Sequence, residues 1–522
     1  MRGASRNRRQ LHPDPWLVLA VAVVLVAATS LPYWLAYRAP EGYVFSGILL
    51  NPADGNSYFA KMREGWAGEW LFRLPYTQDP GPGAFIFTYF LFLGHVARWL
   101  NLSLDVVYHG ARMVGGLALL LTGWAFLGAF TTSRRARWAM WLLFALGSGL
   151  GWLALPFGVF TSDLLVPEAF PFLAVFSNAH FALALALELW ILRYTLPGLP
   201  AAARPWQGWL VVGVATLALA QVQPMVLLSA GLVIGGVALW QATVARSLRP
   251  FFAPAILTFG LLALPWLVYD FTLTLRHPVL AEWNAQNLTP TPPLWDVLIA
   301  GGAPLLLAAV GFVRAARRRS PRDVILLVWL GLGGLALYAP FALQRRLSVG
   351  LWVPVCVLAV EALREVVWPR LRPAWRPLVV GALALLALPT NLIVYAATLG
   401  AIASREPDIY WSADEAAALR WLAGHATPAD TVAAAPEFGL FIPARTAARV
   451  LYGHPFETIH AAAQEQLLLD FYAGRASPEA FVAAHQITYV IVGSRERELL
   501  GAAWDVDWPV VFASGEVVIY AP

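Results

Sequence analysis

One carboxylate, Asp54, stands among turn formers in the run Asn51-Pro52-Ala53-Asp54-Gly55-Asn56-Ser57-Tyr58. The run from Asn56 to Trp66 has helical character, and positions 54, 57, 58 and 61 share one side of such a helix, so Asp54, Tyr58 and Lys61 can face one cavity. A carboxylate so placed is suited to orienting or deprotonating a hydroxyl. About 290 residues later, Gln344-Arg345-Arg346 offers two guanidinium forks, whose geometry matches phosphate oxygens bidentately. Between them, Asp163 and Glu168 are candidate second acids, and Asn178, His180 and Gln223 are candidate hydrogen-bonding groups for substrate. Asp54 with Asp163 or Glu168 could also ligate Mg or Mn, and Asp54 could cap its helix, so three roles stand open: base, metal ligand or cap.

The elements that must position these groups are set by composition. Of 522 residues 59% are hydrophobic and only 13% charged, with long uncharged runs broken by short arginine-rich stretches, which is the pattern of an integral membrane protein. The net charge of +5 sits in short loops between apolar runs, so it reads as topology and not as a nucleic-acid surface. Cys356 is the single cysteine, which excludes an intramolecular disulfide and a Cys-rich metal site.

The first run, Trp16 to Tyr37, follows Arg2, Arg6, Arg8 and Arg9 and is expected to be a retained helix with its N-terminus in the cytoplasm. Further spans are expected at Val106 to Phe130, Trp138 to Phe157, Asn178 to Tyr194, Trp206 to Gln221, Met225 to Gln241, Phe251 to Asp270, Asp296 to Val313, Val324 to Leu343, Val349 to Ala362 and Pro377 to Leu399, about eleven in all. Arginines fill alternate loops (134–137, 193–204, 246–249, 314–322, 364–376), which puts those loops in the cytoplasm. The parity closes only if the aromatic segment 84–100 is interfacial or re-entrant and does not cross. Residues 39–83 then form a long outer loop, and Asp54 lies outside the membrane. Arg345 and Arg346 also fall outside, against the rule that the other arginine clusters obey. His277 and Glu282 are weaker candidates, in a third outer loop that could act as a lid.

Residues 1–400 therefore read as a transmembrane domain and 401–522 as a small extracytoplasmic α/β domain, with strand-like runs at 431–433, 449–452, 487–492, 510–512 and 516–520 between helical stretches. The fold class is mainly α: a polytopic helical bundle with an α/β appendage. No nucleotide-binding glycine loop, His-Glu-x-x-His or Gly-x-Ser-x-Gly motif is present, so those chemistries lack support.

One span, a long outer loop with an acid near its start, an interfacial helix, about ten more spans and an outer C-terminal domain together resemble the GT-C superfamily of integral membrane glycosyltransferases. The bacterial members related to protein mannosyltransferases and aminoarabinose transferases are the nearest in pattern. On this resemblance Asp54 corresponds to the catalytic acid, 85–99 and Arg112 to the juxtamembrane helix and the arginine opening the second span, and Gln344-Arg345-Arg346 to the basic motif meeting the carrier phosphate. A tandem acidic pair is absent, since Gly55 follows Asp54, and Pro80-Gly81-Pro82 replaces a Pro-Pro. The resemblance implies an inverting transfer of a sugar from a polyprenyl phosphate to a glycan, lipid or protein acceptor at the outer face of a bacterial plasma membrane, in contact with membrane lipids and without nucleic acid. His454 and Glu457 of the C-terminal domain could touch the acceptor or serve structure alone. The rival class is a solute or lipid transporter with an outward-facing polar vestibule, although no repeated half is evident in the sequence.

Overall fold

In the computed structural model, residues 15–199, 204–340, 342–500 and 506–522 are described, so the N-terminal arginines at 2, 6, 8 and 9 lie outside the described residues. Helix α1 (Pro15–Ala36) buries one stripe, Val18, Ala22, Val26, Thr29 and Tyr33, and exposes Val23, Val24, Leu31 and Trp34. An uncharged helix with apolar side chains facing outward suits a lipid environment.

All eleven expected apolar segments fold as helix, yet they are not eleven spans of equal standing. Among the described residues six helices are long and apolar enough to cross a membrane: α1, Leu104–Leu127, Pro205–Val222, Met225–Ala245, Pro254–Arg276 and Leu294–Arg318. Two more crossings arise if the bent pairs Arg134–Leu146 with Gly151–Phe157 and Pro373–Ala387 with Pro389–Ser404 each count as one. The remaining three, Phe181–Thr195, Pro321–Ala336 and Trp352–Ala362, are shorter than eighteen residues. The first of these starts three residues late, because the chain breaks helix at Asn178 to turn out of Pro171–Ser177. Arginines gather at one end of the bundle: Arg137 and Arg193 donate to Trp124 O and Ala125 O, and Arg314, Arg318 and Arg364 share Glu365.

At the other end, the expected loop 39–83 is largely ordered as strand β1 (Tyr43–Phe45) and helix α2 (Pro52–Ala67). Helix α3 (Thr88–Leu100), thirteen residues long, crosses α2 so closely that a β-carbon on Gly65 or Gly94 would collide with Leu91 O or Met62 O of the other helix. This contact, and not the length of the apolar run, accounts for the segment lying against α2 and leaving Phe92, Trp99 and Leu100 exposed. Helix α4 (Leu104–Leu127) follows, capped by Ser103. Its Arg112 is buried, donating to Val175 O at 3.1 Å and Ser30 Oγ at 3.0 Å, and so ties α1 to Pro171–Ser177.

Strand β2 (Tyr410–Ser412) pairs antiparallel with β1 just after the last bundle helix. Beyond it, β3 (Thr431–Ala433), β4 (Arg449–Val450), β5 (Tyr489–Val492), β6 (Val510–Ser514) and β7 (Val517–Tyr520) form a sheet in the order β4-β3-β5-β7-β6, parallel on the β4 side and antiparallel on the β6 side. Helix Ala413–His425, opened by a Ser412–Glu415 capping box, packs on this sheet.

Candidate active site

Helix α2 begins four residues earlier than its sequence pattern suggests. Asn51 turns in a left-handed conformation (φ 51°) and Pro52 takes the first helical position, which brings Asp54 into the first turn. There the helix dipole favours a negative charge. Asp54 is exposed, and no described residue donates a hydrogen bond to its side chain. The early start leaves the expected face intact. Ser57, one turn on, donates to Glu457 Oε1 at 2.5 Å; Tyr58 stacks on Phe90 (4.5 Å, 3°); Lys61, at the next turn, is buried and bonds Ser57 and Glu457. Lys61 is thus taken up by an ion pair with the C-terminal domain, where sequence reading gave it a substrate role.

The basic segment Gln344–Ser348 forms a short 3₁₀ turn facing this helix. Gln344 Oε1 accepts from Thr291 N at 3.2 Å, and Arg345 Nε donates to Glu168 Oε1 at 3.0 Å, so both are positioned within the protein. Arg346 is half-buried, lies 5.8 Å from the Phe181 ring centre, and has no side-chain hydrogen bond among the described residues. Burial opposes its charge, but Glu168, Tyr58 and Asp54 outweigh that and push its pKa up. Arg346 thus lies within electrostatic reach of Glu168 and of Tyr58 and Asp54 on α2.

His180 forms part of the wall, 5.1 Å from Tyr58 and 5.4 Å from Phe90, ring to ring. Burial first, then Arg346 and Lys61, push its pKa well down, so it stays neutral. Burial also raises the Tyr58 phenol, which keeps its proton. His180 Nδ1 and Asn178 Nδ2 are buried without a hydrogen-bond partner, and orphaned polar groups of this kind call for an explanation such as a ligand. Gln223 caps Pro205–Val222 half-buried, and its neighbour Gln221 is the amide that bonds, accepting from Thr88 Oγ1 at 2.7 Å.

Asp163 is a correction. It is wholly buried and accepts from Gly149 N and Gly151 N at 3.1 Å each and from Thr161 Oγ1 at 2.6 Å, holding the bend between Arg134–Leu146 and Gly151–Phe157. A carboxylate saturated by a turn is not available beside Asp54. With Glu168 paired to Arg345 as well, the expected Mg or Mn set of Asp54, Asp163 and Glu168 does not assemble. Among the described residues no group of three or more His, Cys, Asp or Glu side chains could hold a metal ion. This donor set does not fit a divalent ion.

His454 and Glu457, given second rank from sequence, reach the Asp54 helix. His454 Nδ1 accepts from Phe456 N and Glu457 N at 3.0 and 3.1 Å, which leaves the proton on Nε2. That nitrogen faces the Ala53 carbonyl without a well-formed hydrogen bond. Burial works against the charge of Glu457, but Lys61 and His454 hold the carboxyl below its ordinary range. The signal in sequence was slight: a histidine and an acid three residues apart, about 400 residues from the helix they meet.

No protein-family model matches the sequence, and no curated protein matches it. Solved structures do. ArnT from Cupriavidus metallidurans, bound to undecaprenyl phosphate, superposes with a TM-score of 0.56 at 14% identity, covering 97% of each chain. The oligosaccharyltransferase of Archaeoglobus fulgidus, tethered with an acceptor peptide, gives 0.55 at 12% identity over 92% of this chain and 69% of that one. The same archaeal enzyme with an inhibitory peptide and a dolichol-phosphate gives 0.51 at 14% identity, over 91% and 69%. The chain shares the fold of ArnT and of this oligosaccharyltransferase. The Asp54 helix lies at the end of the bundle that bears the C-terminal domain, to which Lys61 ties it.

Proposed function

We propose that this protein transfers a sugar from a polyprenyl-phosphate carrier to an acceptor hydroxyl at the outer face of the membrane, with inversion at the anomeric carbon. The observation that carries the reading is Arg346: a guanidinium with no side-chain hydrogen bond among the described residues, whose charge is favoured by Glu168, Tyr58 and the exposed carboxylate of Asp54. A GT-C fold that binds undecaprenyl phosphate in ArnT adds to it.

In this scheme Asp54 takes the proton of the acceptor hydroxyl as its oxygen attacks the anomeric carbon from the side opposite the phosphate. The bond between that carbon and the phosphate oxygen breaks, and the phosphate leaves on its lipid. Arg346 neutralises the departing charge through its fork, while Arg345, oriented by Glu168, lends a second positive charge. Neutral Tyr58 and His180 line the cavity and can hydrogen-bond sugar hydroxyls without competing for the proton. The proton on Asp54 then passes to water.

The test is transfer of labelled sugar in proteoliposomes supplied with a panel of undecaprenyl-phosphate sugars. Asp54→Asn is expected to lower the rate by about 10²–10⁴-fold and leave binding of undecaprenyl phosphate intact. Full transfer by Asp54→Asn would sink the reading, and solute uptake without any lipid-linked sugar would favour a transporter.

A further inference from the structure

Between residues 77–79, helix Pro278–Gln286 and residues 451–464 lies an open cleft of about 380 Å³. Resting on the glycosyl-transfer reading above, we propose that this cleft is the acceptor subsite and takes an uncharged or amine-bearing oligosaccharide in preference to a phosphorylated one.

Its size lies within the range of small-molecule sites. Its chemistry is that of hydroxyl recognition. Thr77, Asp79, Glu282, His460 and Gln464 line it beside apolar Ile459, and Gln464 Oε1 is buried there with no hydrogen-bond partner. Among the described lining residues there is no lysine or arginine. Two carboxylates accept from hydroxyls and attract an amine, but they repel a phosphate. The nearby cations each sit against a carboxylate: His460 lies 3.7 Å from Glu282, and Arg449, bonded to Gln78 O, is within electrostatic reach of Asp79.

The walls are fixed before any ligand arrives. Arg449 donates to Gln78 O at 3.0 Å, and Gln286 Nε2 donates to Thr458 O at 2.6 Å and Phe456 O at 3.2 Å, joining the helix to the C-terminal domain. The same segment leads to the Asp54 helix, for Tyr76 packs on His454 at 5.4 Å and His454 faces Ala53. The Tyr76–His454 contact thus joins one wall of the cleft to the first turn of the Asp54 helix. A peptide is less well served: the adjacent sheet edge, β4, is two residues long, too short to template an added strand.

The experiment is saturation-transfer NMR on the full chain in nanodiscs, with maltotriose, the glucosamine trimer, maltotriose phosphate and a Gly-Ser hexapeptide as probes. Maltotriose and the glucosamine trimer are expected to receive saturation, falling at least fivefold in Gln464→Ala, while Glu282→Lys should reverse the preference toward maltotriose phosphate. Undecaprenyl-phosphate binding within twofold of wild type identifies variants that have kept their fold. Equal saturation of maltotriose phosphate in the wild type, saturation of the hexapeptide alone, no saturation at all, or signals unchanged in both folded variants would each overturn the proposal. No turnover is needed, so inactive Asp54→Asn protein that still binds maltotriose separates this result from that of the transfer assay.

Discussion

At the residue scale, the contrast between Arg345 and Arg346 decides what each can do. Arg345 is held by Glu168 at 3.0 Å, whereas Arg346 keeps its donors free in the cavity. Arg346→Lys keeps the charge but loses the planar fork, so affinity for undecaprenyl phosphate is expected to fall about tenfold, or about 1.4 kcal/mol. Arg346→Ala should lose more, as read by titration of the lipid phosphate into nanodiscs. Glu64, on the same helix as Asp54, supplies a pH test. Burial pushes its pKa up to about 7, against which Arg73 N donates to it at 3.2 Å. A pKa raised on folding means the folded state loses stability as pH rises from the ordinary carboxylate value through about 7. Glu64→Gln should therefore melt higher than wild type at pH 8, with the gain shrinking toward pH 5.

At the element scale, α2 is the piece that turns sequence position into a site. It crosses α3 at Gly65 and Gly94 and is pinned to the C-terminal domain by the Lys61–Glu457 pair at 2.5 Å. Both ions are out of water, so removing one partner leaves an uncompensated charge. Lys61→Met is expected to cost about 3–5 kcal/mol, seen as a lowered Tm, and replacing both residues with apolar ones should recover much of it. Gly94→Leu should dislodge α3 from α2, with accelerated hydrogen exchange across Pro52–Ala67 as its signature. The helical character and shared face of 54, 57, 58 and 61 were legible in the sequence because helical periodicity is local. The early start at Pro52 was not, since the run is polar and its burial comes from the C-terminal domain.

For the whole molecule, the question is how two parts of a long chain are held in register. The β1–β2 ribbon joins the first loop to the end of the bundle. Arg445 adds a second clamp, forking onto both Asp105 oxygens at 2.7 and 3.0 Å and packing 4.5 Å from the centre of Phe59. Arg445→Ala should leave the half-buried Asp105 without its ion pair, held by the Tyr37 hydroxyl, and limited proteolysis should then release the C-terminal domain faster than in wild type.

Composition and arginine spacing alone determined that the chain is a bundle of apolar helices with a polar α/β end, because hydrophobic runs and charge bias are written residue by residue. They also marked Asp54 and the Arg345–Arg346 pair as exceptions to their surroundings. Only the tertiary structure decided which exceptions meet. Asp163 went to a bend in the bundle and Lys61 to Glu457, while Arg346 has no side-chain hydrogen bond among the described residues and lies within electrostatic reach of Asp54. The Lys61 outcome depends on a pairing across about 400 residues, and even the short-range bonds of Asp163 form only once the bend does, since a carboxylate in a turn carries no local mark of the partner the fold will bring to it.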